Sequence, residues 1–474
     1  MLQLLQRVFG WGEPAVADPP DGRQRVTGQW LRLPWDGRCY ALELGEERLL
    51  LMPERRLDER DADGRHPLVV VNPDLGGEGL PPRLRVGPGE RVTLSQEVSQ
   101  HRLLFDDPRT IGRRGVEIRH AGTTVLLRDW ISEAGTWVEP SELPEGLEAR
   151  REATLVALED LYGGPIAPLD PATAMDRLTR CNELLRSGPC RTPDAEGNPG
   201  AIVDLPPDVA PVLVGDLHGL VDNLLTVLSI DGLLEGLARG DTALILLGDT
   251  VHREDHDELA EMGSSLLMTD LIIQLKLAFP DRFFMLLGNH ESFLPVVMKG
   301  GIPQGLLWRQ HVTETRGPTY ADALACFYEL SPIIAASEHF LSCHAAPARG
   351  RLSREVLVNV RSHPEKLHQL ISDRARTPGY PAGYGKSDVK RFRKAMGTKS
   401  DAPFVVGHFP RSREHSIALD VDKVEGHHIL FSALHHEVGV FAQVRGQMVP
   451  QVYAAQPVLR WLAKHASGRR QTVS

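Results

Sequence analysis

The sequence predicts an α/β domain preceded by a small all-β domain, and two observations support this. Residues 24–140 contain short apolar or alternating runs separated by turn pairs such as Asp36-Gly37, a pattern typical of β-strands. From Asp170 onward, strongly apolar runs alternate with stretches of helical periodicity. Near-continuous apolar runs are typical of strands that are covered on both faces. At 474 residues, the chain is also longer than one compact core normally allows.

The composition indicates a globular protein and excludes several classes of function. Apolar residues make up 42% and charged residues 24% of the chain, which argues against a chain dominated by disorder or coiled coil. The net charge of -10 opposes docking onto DNA or an anionic bilayer, so we expect neither a nucleic-acid nor a membrane partner. The five cysteines form no Cys-x-x-Cys pair, and the first residues lack the basic segment of a secretory signal. We therefore expect a cytoplasmic protein.

The elements of the all-β domain, residues 24–140, follow from its apolar runs. The predicted strands are 29–33, 39–44, 48–52, 67–72, 83–86, 101–105, 116–119, 123–127 and 136–138. Residues 141–167 are predicted to connect this domain to the next one, with a helix over 147–161.

The α/β domain is predicted to span residues 168–455. Asp170-Pro171 is a pair that caps and begins a helix, and helical spacing continues to about residue 185. Residues 189–207 are rich in Pro, Gly and Asp and are predicted to form a loop. The predicted strands are 211–214, 243–247, 282–287, 340–342, 404–406 and 429–432. Residues 465–474 are predicted to form a polar tail.

Side chains that can bind metal ions follow five of these strands directly. They are Asp216 with His218, Asp249, Asn289, His344 and His408. The carboxyl ends of strands in open α/β sheets converge on one crevice, so we expect these side chains to meet in space. Between 33 and 64 residues separate successive strand ends, which leaves room for a crossover helix in each connection.

The set of donors indicates a pair of divalent ions. Carboxylate and imidazole together suit Mn²⁺, Fe or Zn²⁺ rather than Ca²⁺ or a structural zinc site. Six ligands exceed what one open catalytic ion needs, and one carboxylate shared between two ions would explain the surplus. Two neighbouring ions can activate water and hold the oxygens of a phosphoryl group, so the site predicts phosphoester hydrolysis.

The same segments resemble the signature blocks of a known family. Gly215-Asp216-x-His218-Gly219, Gly248-Asp249-x-Val251-x-Arg253 and Gly288-Asn289-His290-Glu291 resemble the three blocks of the phosphoprotein phosphatase family of calcineurin-like metallophosphoesterases. The resemblance covers roughly residues 170–450 and extends to Cys343-His344, Gly407-His408 and Phe431-Ser432-Ala433. It implies a four-layer α/β/β/α sandwich and two divalent ions, with Mn²⁺ first and Fe or Zn²⁺ as alternatives.

The resemblance also implies a role for each residue of the site. The first ion would be held by Asp216, His218 and Asp249, and the second by Asp249, Asn289, His344 and His408. His290 would protonate the leaving group, and Glu291 would support the site from behind. Arg253, together with Asn289, would bind the phosphate oxygens.

Three positions depart from the family pattern. His252 stands where the family has an aspartate that orients the acid histidine, and Glu254 stands where it has a glycine. His436 stands where the family has a tyrosine near the phosphate. His252 is therefore a candidate catalytic residue and His436 a candidate substrate-binding residue. The second phosphate-binding arginine of the family is not assigned to a residue of this sequence.

The resemblance implies a serine/threonine protein phosphatase that acts by direct attack of metal-bound hydroxide. Its substrate would be a phosphorylated protein or a small phosphoester. A second interpretation is a hydrolase of nucleotides or dinucleoside polyphosphates. A third interpretation is a regulatory or binding protein whose phosphatase site is impaired by the change to His252.

The all-β domain carries a fainter resemblance to forkhead-associated domains. Residues 98–101 are similar to their central motif and residues 127–137 to their closing segment. Pro88 and Ala134 replace the arginine and asparagine that are usual there. The three interpretations are a degenerate forkhead-associated domain that no longer binds phosphothreonine, an unrelated β-sandwich, and a working phosphopeptide-binding domain, with a protein as the expected partner.

Overall fold

The computed structural model describes residues 22–57, 66–75, 80–113, 115–130, 135–188 and 190–472, with only the backbone described from 466 onward. The chain divides into two compact units. The first unit comprises residues 1–77 and 81–147, and the second comprises residues 78–80 and 148–474. Each unit has its own core.

The first unit is built of antiparallel strands. In chain order they are β1 (Gln24–Val26), β2 (Leu31–Pro34), β3 (Cys39–Leu44), β4 (Glu47–Pro53), β5 (Leu68–Val71), β6 (Arg83–Val86), β7 (Arg91–Thr93), β8 (Val116–His120), β9 (Thr124–Asp129) and β10 (Thr136–Ser141). They form one sheet in the order β1-β10-β3-β4-β5-β6 and another in the order β2-β9-β8-β7. Buried residues of both sheets, among them Leu33 and Leu42, share one hydrophobic core. The predicted all-β architecture is therefore confirmed.

The predicted strand over residues 101–105 is wrong. A short helix α1 (Ser99–Arg102) begins there instead. Leu103, Leu104 and Phe105 are all buried, which the alternating side chains of a half-exposed strand would not allow. The buried ring of His101 accepts a hydrogen bond from the amide of Ser95 through Nδ1 at 3.2 Å. The resemblance to forkhead-associated domains stays a prediction, and residues 131–134 of its closing segment lie outside the described residues.

The second unit combines helices with two sheets. Its helices are α2 (Leu147–Tyr162), α3 (Pro171–Ser187), α4 (Val221–Leu228), α5 (Leu233–Arg239), α6 (Gly263–Ala278), α7 (Gln304–Arg316), α8 (Pro318–Leu330), α9 (Arg354–Val358), α10 (Pro364–Ser372), α11 (Lys386–Met396) and α12 (Val458–Thr472). The Asp170 side chain caps α3 by accepting hydrogen bonds from the amides of Ala172 and Thr173, as the sequence predicts.

The strands of the second unit divide between a seven-stranded and a five-stranded sheet. They are β11 (Arg191–Pro193), β12 (Pro199–Asp204), β13 (Ala210–Val214), β14 (Thr242–Leu246), β15 (Phe283–Met285), β16 (Ile334–Ala336), β17 (Leu341–Cys343), β18 (Phe404–Val406), β19 (Ile417–Ala418), β20 (His427–Leu430), β21 (Glu437–Val444) and β22 (Gln447–Ala454). The larger sheet has the order β11-β12-β16-β17-β18-β20-β19, and the smaller sheet has the order β15-β14-β13-β21-β22.

The two sheets face each other, and helices cover their outer faces. Residues of both sheets, including Ile245 and Val405, belong to one buried cluster. Phe392 of α11 and Leu357 of α9 pack with the other face of the seven-stranded sheet. Helices α4, α5 and α6 contact strands of the five-stranded sheet. The predicted four-layer α/β/β/α sandwich is therefore confirmed.

Several elements differ from the sequence-based expectation. The predicted loop over 189–207 contains β11 and β12, and residues Ala201, Ile202 and Val203 are fully buried. The hairpin β21–β22 turns at Arg445-Gly446, whose φ angles of 47° and 78° are those of a two-residue turn. Helix α12 extends into the predicted polar tail. Among the described helices, none has the length and apolar character needed to cross a bilayer.

Candidate dinuclear metal site

The predicted ligands lie at the ends of strands from both sheets. Asp216 with His218, Asp249 and Asn289 follow β13, β14 and β15 of the five-stranded sheet. His344 and His408 follow β17 and β18 of the seven-stranded sheet. Because the sheets face each other, their strand ends deliver the six side chains to one region.

The ligand atoms form two clusters that share one carboxylate. Ligand atoms of Asp216, His218 and Asp249 all lie within 4.8 Å of one another, and so do those of Asp249, His344 and His408. The Oδ1 atom of Asn289 lies 3.2 Å from Nε2 of His344, which adds the amide to the second cluster. The structure thus brings together all six residues that the sequence predicts as ligands, with Asp249 in the middle.

Tight turns hold the ligands in place. His218, Asp249 and His408 have φ angles of 44°, 49° and 70°, a left-handed conformation that is rare outside glycine and concentrates at functional sites. The amide of His408 donates to both carboxylate oxygens of Asp216 at 2.9 Å. A Cβ atom on Gly407 would lie 2.0 Å from Oδ1 of Asp216, so only glycine fits between the two ligands.

Backbone carbonyls fix the orientation of two imidazoles. The Nδ1 atom of His218 lies 3.0 Å from the carbonyl oxygen of His252, and Nδ1 of His344 lies 2.9 Å from that of Leu247. Since a carbonyl only accepts, each Nδ1 carries the hydrogen, and each Nε2 faces the ligand cluster. This is the arrangement that metal-binding histidines commonly have.

The ligand atoms that have no other partner are suited to bind a pair of cations. Both ring nitrogens of His408 are buried and have no hydrogen-bond partner among the described residues, which is costly unless a ligand binds them. Burial raises the pKa of Asp216 well above its usual value, and the neighbouring Asp249 adds to this effect. Two buried carboxylates and a set of aligned imidazoles are a donor set that divalent ions would neutralise.

The imidazoles of the site differ in their protonation. Burial lowers the pKa of His218 to about 4 and that of His408 to about 3, so both are neutral ligands near pH 7. Burial also disfavours the charged form of His344, but the Asp249 carboxylate, 3.2 Å from its Nε2, outweighs this and raises its pKa to about 9. A cation at this position would replace that proton.

Glu291 positions the loop that carries Asp249. Its carboxylate accepts hydrogen bonds from the amides of Asp249, Thr250 and Gly288 at 2.7 to 2.9 Å, and from the hydroxyl of Thr250 at 2.9 Å. The side chain is buried. Glu291 therefore supports the site indirectly, by fixing the backbone of the residues that it accepts hydrogen bonds from.

His290 and His252 lie next to each other at the edge of the clusters. The amide of His290 donates to Oδ1 of Asp249 at 2.9 Å, and its Nε2 lies 3.9 Å from Oδ2 of the same carboxylate. The Nδ1 atoms of His290 and His252 are 3.1 Å apart. His252 is fully buried in a left-handed conformation with φ 68°, and its ring meets the ring of Trp308 edge-on.

Arg253 and His436 have other partners in this structure. The guanidinium of Arg253 donates to Asp255 at 2.8 Å and is also paired with Glu258. The exposed ring of His436 lies 3.0 Å from the carbonyl oxygen of Glu414, and among the described residues no contact joins it to a predicted ligand. Their roles toward phosphate stay predictions.

Three residues near the clusters have no function in the sequence-based prediction. Glu254 lies 3.4 Å from Nε2 of His218 and is paired with Lys299. Arg374 lies over the ring of Phe409 at 4.4 Å, and both line a cleft that also contains His408. The sequence contained a signal for Glu254, because the family pattern has a glycine at this position. Nothing in the local sequence marks Lys299 or Arg374 as residues of the site.

Comparison with known proteins agrees with this geometry. Residues 212–432 match the model of the calcineurin-like phosphoesterase family. A segment of 80 residues is 35% identical to the serine/threonine-protein phosphatase PP2A-like PPG1 of Candida albicans, which is 17% of this chain and 16% of that protein. The aligned part thus spans about a sixth of the length of that curated relative.

Solved structures of phosphatases are also similar to the chain. A serine/threonine phosphatase from Saccharomyces cerevisiae, described as similar to human phosphatase PP5, has 16% identity and a TM-score of 0.47 over 60% of this chain and 90% of that one. A putative diadenosine tetraphosphatase has 13% identity and a TM-score of 0.30 over 54% of this chain and 98% of that one.

The second unit therefore contains a calcineurin-like metallophosphoesterase domain, which includes residues 212–432. The three sequence blocks that resemble those of the phosphoprotein phosphatase family lie within this domain.

Proposed function

We propose that the protein is a metal-dependent phosphoric monoester hydrolase, and specifically a serine/threonine protein phosphatase. The observation that carries this proposal is the pair of ligand clusters that share Asp249. Two divalent ions bound there would supply a nucleophilic hydroxide for direct attack on phosphorus and would neutralise the charge of the phosphate. Mn²⁺ suits the mixed carboxylate, amide and imidazole donors, with Fe or Zn²⁺ as alternatives.

His290 is the proposed general acid. The backbone amide of His290 donates a hydrogen bond to Asp249 and so holds the ring beside the ligand clusters. Nε2 of the ring lies 3.9 Å from Oδ2 of that carboxylate. When the His290 ring carries a hydrogen on both nitrogens, Nδ1 donates to Nδ1 of His252 and the hydrogen of Nε2 is available to the leaving oxygen. His252 is then a positioning residue, and general acid catalysis of this kind contributes about 10² to 10⁴ in rate.

Three residues are proposed to bind the substrate. The amide of Asn289 uses its Oδ1 toward His344, which leaves the two hydrogens of its nitrogen for a phosphate oxygen. Arg253 has a fork of donors that suits phosphate, and the substrate would compete with Asp255 and Glu258 for it. His436 is exposed, and it is the proposed contact for the part of a substrate that lies outside the site.

The test is a phosphatase assay with added Mn²⁺ on phosphoserine and phosphothreonine peptides and on p-nitrophenyl phosphate. We expect Asp249→Asn and His290→Asn to lower kcat by on the order of 10² or more, because they remove the shared ligand and the proton donor. The exposed neighbours Asp257 and His256 provide the matched controls Asp257→Asn and His256→Asn. Unchanged turnover in both site variants would reject the proposed active site.

A nucleotide or dinucleoside polyphosphate hydrolase is the second candidate. The observation that favours it is the cleft beside His408, where the guanidinium of Arg374 lies over the partly exposed ring of Phe409. An aromatic ring and a guanidinium together can stack a base and bind phosphate. Comparing kcat/KM for phosphopeptides and for dinucleoside polyphosphates in one assay decides between the two.

Three further expectations remain proposals of the same kind. They are a cytoplasmic location, a protein partner for the all-β unit, and the domain limits of 24–140, 141–167 and 168–455. The all-β sandwich core supports a partner-binding module, because such a unit folds around its own core and leaves its loops free for binding.

A further inference from the structure

The carboxylate of Glu254 lies beside one of the predicted metal ligands. Its Oε1 atom is 3.4 Å from Nε2 of His218, whereas Oδ2 of Asp216 is 3.8 Å from the same nitrogen. The Nδ1 atom of His218 is bound to the carbonyl of His252, so Nε2 is the nitrogen available to a cation. Glu254 therefore approaches the atom that would bind the first ion.

The separation between these two atoms suits ligands of one ion. Nitrogen and oxygen ligands at about 2.0 to 2.2 Å from a metal, with a tetrahedral angle between them, lie about 3.3 to 3.6 Å apart. The side chain of Glu254 is 29% exposed and that of His218 is 3% exposed, so the carboxylate comes from the rim and the imidazole from the interior.

The same Glu254 oxygen is paired with the ammonium group of Lys299. Lys299 belongs to a tight turn in which it exchanges backbone hydrogen bonds with Ile302 at 2.8 and 3.0 Å. The carboxylate that faces His218 is thus already paired with a positively charged group. The cluster of closely spaced ligand atoms around Asp216 does not include Glu254, so its side chain would have to leave Lys299 and rotate to join them.

We propose that Glu254 is a further ligand of the ion held by Asp216, His218 and Asp249, and that Lys299 pairs with it when that ion is absent. The inference rests on the dinuclear site of the proposed function. A third carboxylate adds negative charge and a hard oxygen donor to this position, which strengthens the binding of Mn²⁺ relative to softer ions.

The test measures Mn²⁺ binding rather than activity. The metal-free full-length protein is titrated with Mn²⁺ by isothermal calorimetry, and elemental analysis gives the stoichiometry. We expect two ions in the wild type, and an affinity for one of them that falls on the order of tenfold or more in Glu254→Gln. The variant Lys299→Met should change the affinity of the same ion in the opposite direction, because its competitor for the carboxylate is gone.

Glu314→Gln is the matched control, since Glu314 is an exposed glutamate on α7 that bonds to Gln310. Tighter binding in Lys299→Met cannot come from misfolding, so it supports the inference independently of Glu254→Gln. Two unchanged affinities in Glu254→Gln would overturn the inference and leave the proposed function standing. If the wild type binds no Mn²⁺, the dinuclear site and this inference fall together.

Discussion

The Nδ1 atoms of His252 and His290 lie 3.1 Å apart, so the two imidazoles form a hydrogen bond in which only one nitrogen carries the hydrogen. The ring of His252 is fully buried, and its Nε2 has no partner among the described residues. Among the described residues, His290 is therefore the hydrogen-bond partner of the His252 ring. His252 thus places an imidazole where the pattern of the phosphoprotein phosphatase family has an aspartate carboxylate.

This relationship predicts opposite effects for two changes at position 252. His252→Asp should raise kcat, because a carboxylate accepts the hydrogen of His290 and favours its charged, proton-donating form. His252→Ala should lower kcat with little change in KM. Both effects should be smaller for p-nitrophenyl phosphate than for a phosphoserine peptide, because a good leaving group needs less protonation. Rate profiles for the two substrates check this, and equal effects on both would contradict it.

Activity that appears only in His252→Asp would favour the third interpretation, a binding protein with an impaired hydrolase. In that case elemental analysis should find the same metal content in the parent and in the variant. A parent enzyme with ordinary turnover would contradict this interpretation.

Glu291→Gln should lower stability and kcat together. Its carboxylate accepts three backbone hydrogen bonds and one from a hydroxyl, whereas the amide of glutamine turns two hydrogens toward these donors. We expect a loss of about 1 to 3 kcal/mol in the free energy of unfolding, from buried donors left without an acceptor. Urea titration followed by fluorescence measures this loss. Unchanged stability would show that the loop around Asp249 does not depend on the charge.

Gly407→Ala should weaken metal binding at the first cluster more than it weakens the fold. The new methyl group would lie 2.0 Å from Oδ1 of Asp216, so the carboxylate or the His408 loop has to move. Gly385→Ala is the control, because a methyl group there meets no atom within 4 Å and the residue has an extended conformation. Calorimetric titration of both variants with Mn²⁺ compares them, and equal affinities would contradict the close approach.

The first unit should lose stability in acid through Glu54. The side chain of Glu54 is only 10% exposed, and its carboxylate accepts hydrogen bonds from Arg83 and Arg85 at 2.5 and 2.7 Å. Burial opposes its ionisation, but the two guanidinium groups outweigh this and lower its pKa below the ordinary value of 4.5. A lowered pKa in the folded state stabilises the fold above pH 4.5, and this contribution disappears as the pH falls through the lowered value.

The variant Glu54→Gln checks this contribution. At pH 7 it should lower the free energy of unfolding of the first unit by about 1.5 to 3 kcal/mol, because the hydrogen bonds from Arg83 and Arg85 lose their charged acceptor. Its stability should also depend less on pH below 4.5 than that of the wild type. Urea unfolding at a series of pH values from 7 downward, followed by tryptophan fluorescence, gives both quantities. Parallel pH profiles for the two proteins would contradict the assignment.

The sequence by itself determined which types of side chain stand at the strand ends. Apolar runs such as 211–214 and 404–406 predict strands because a strand that is buried on both faces has a nearly continuous apolar sequence. Asp216 and His408 follow them directly, and the order of such blocks was sufficient to predict the fold class and a shared ligand. The short strands β11 and β12 escaped prediction because Pro and Gly dominate their surroundings and their burial depends on partners distant in sequence.

Only the tertiary structure decided which of these side chains are neighbours. Asp216 and His408 belong to different sheets, and their contact exists because the two sheets face each other with their strand ends on one side. The pairing of Arg253 with Asp255, and the approach of Glu254 to His218, depend on side-chain directions within a loop. Local sequence specifies hydrophobic burial and turns over a few residues, whereas distances between ligands result from the packing of the whole domain.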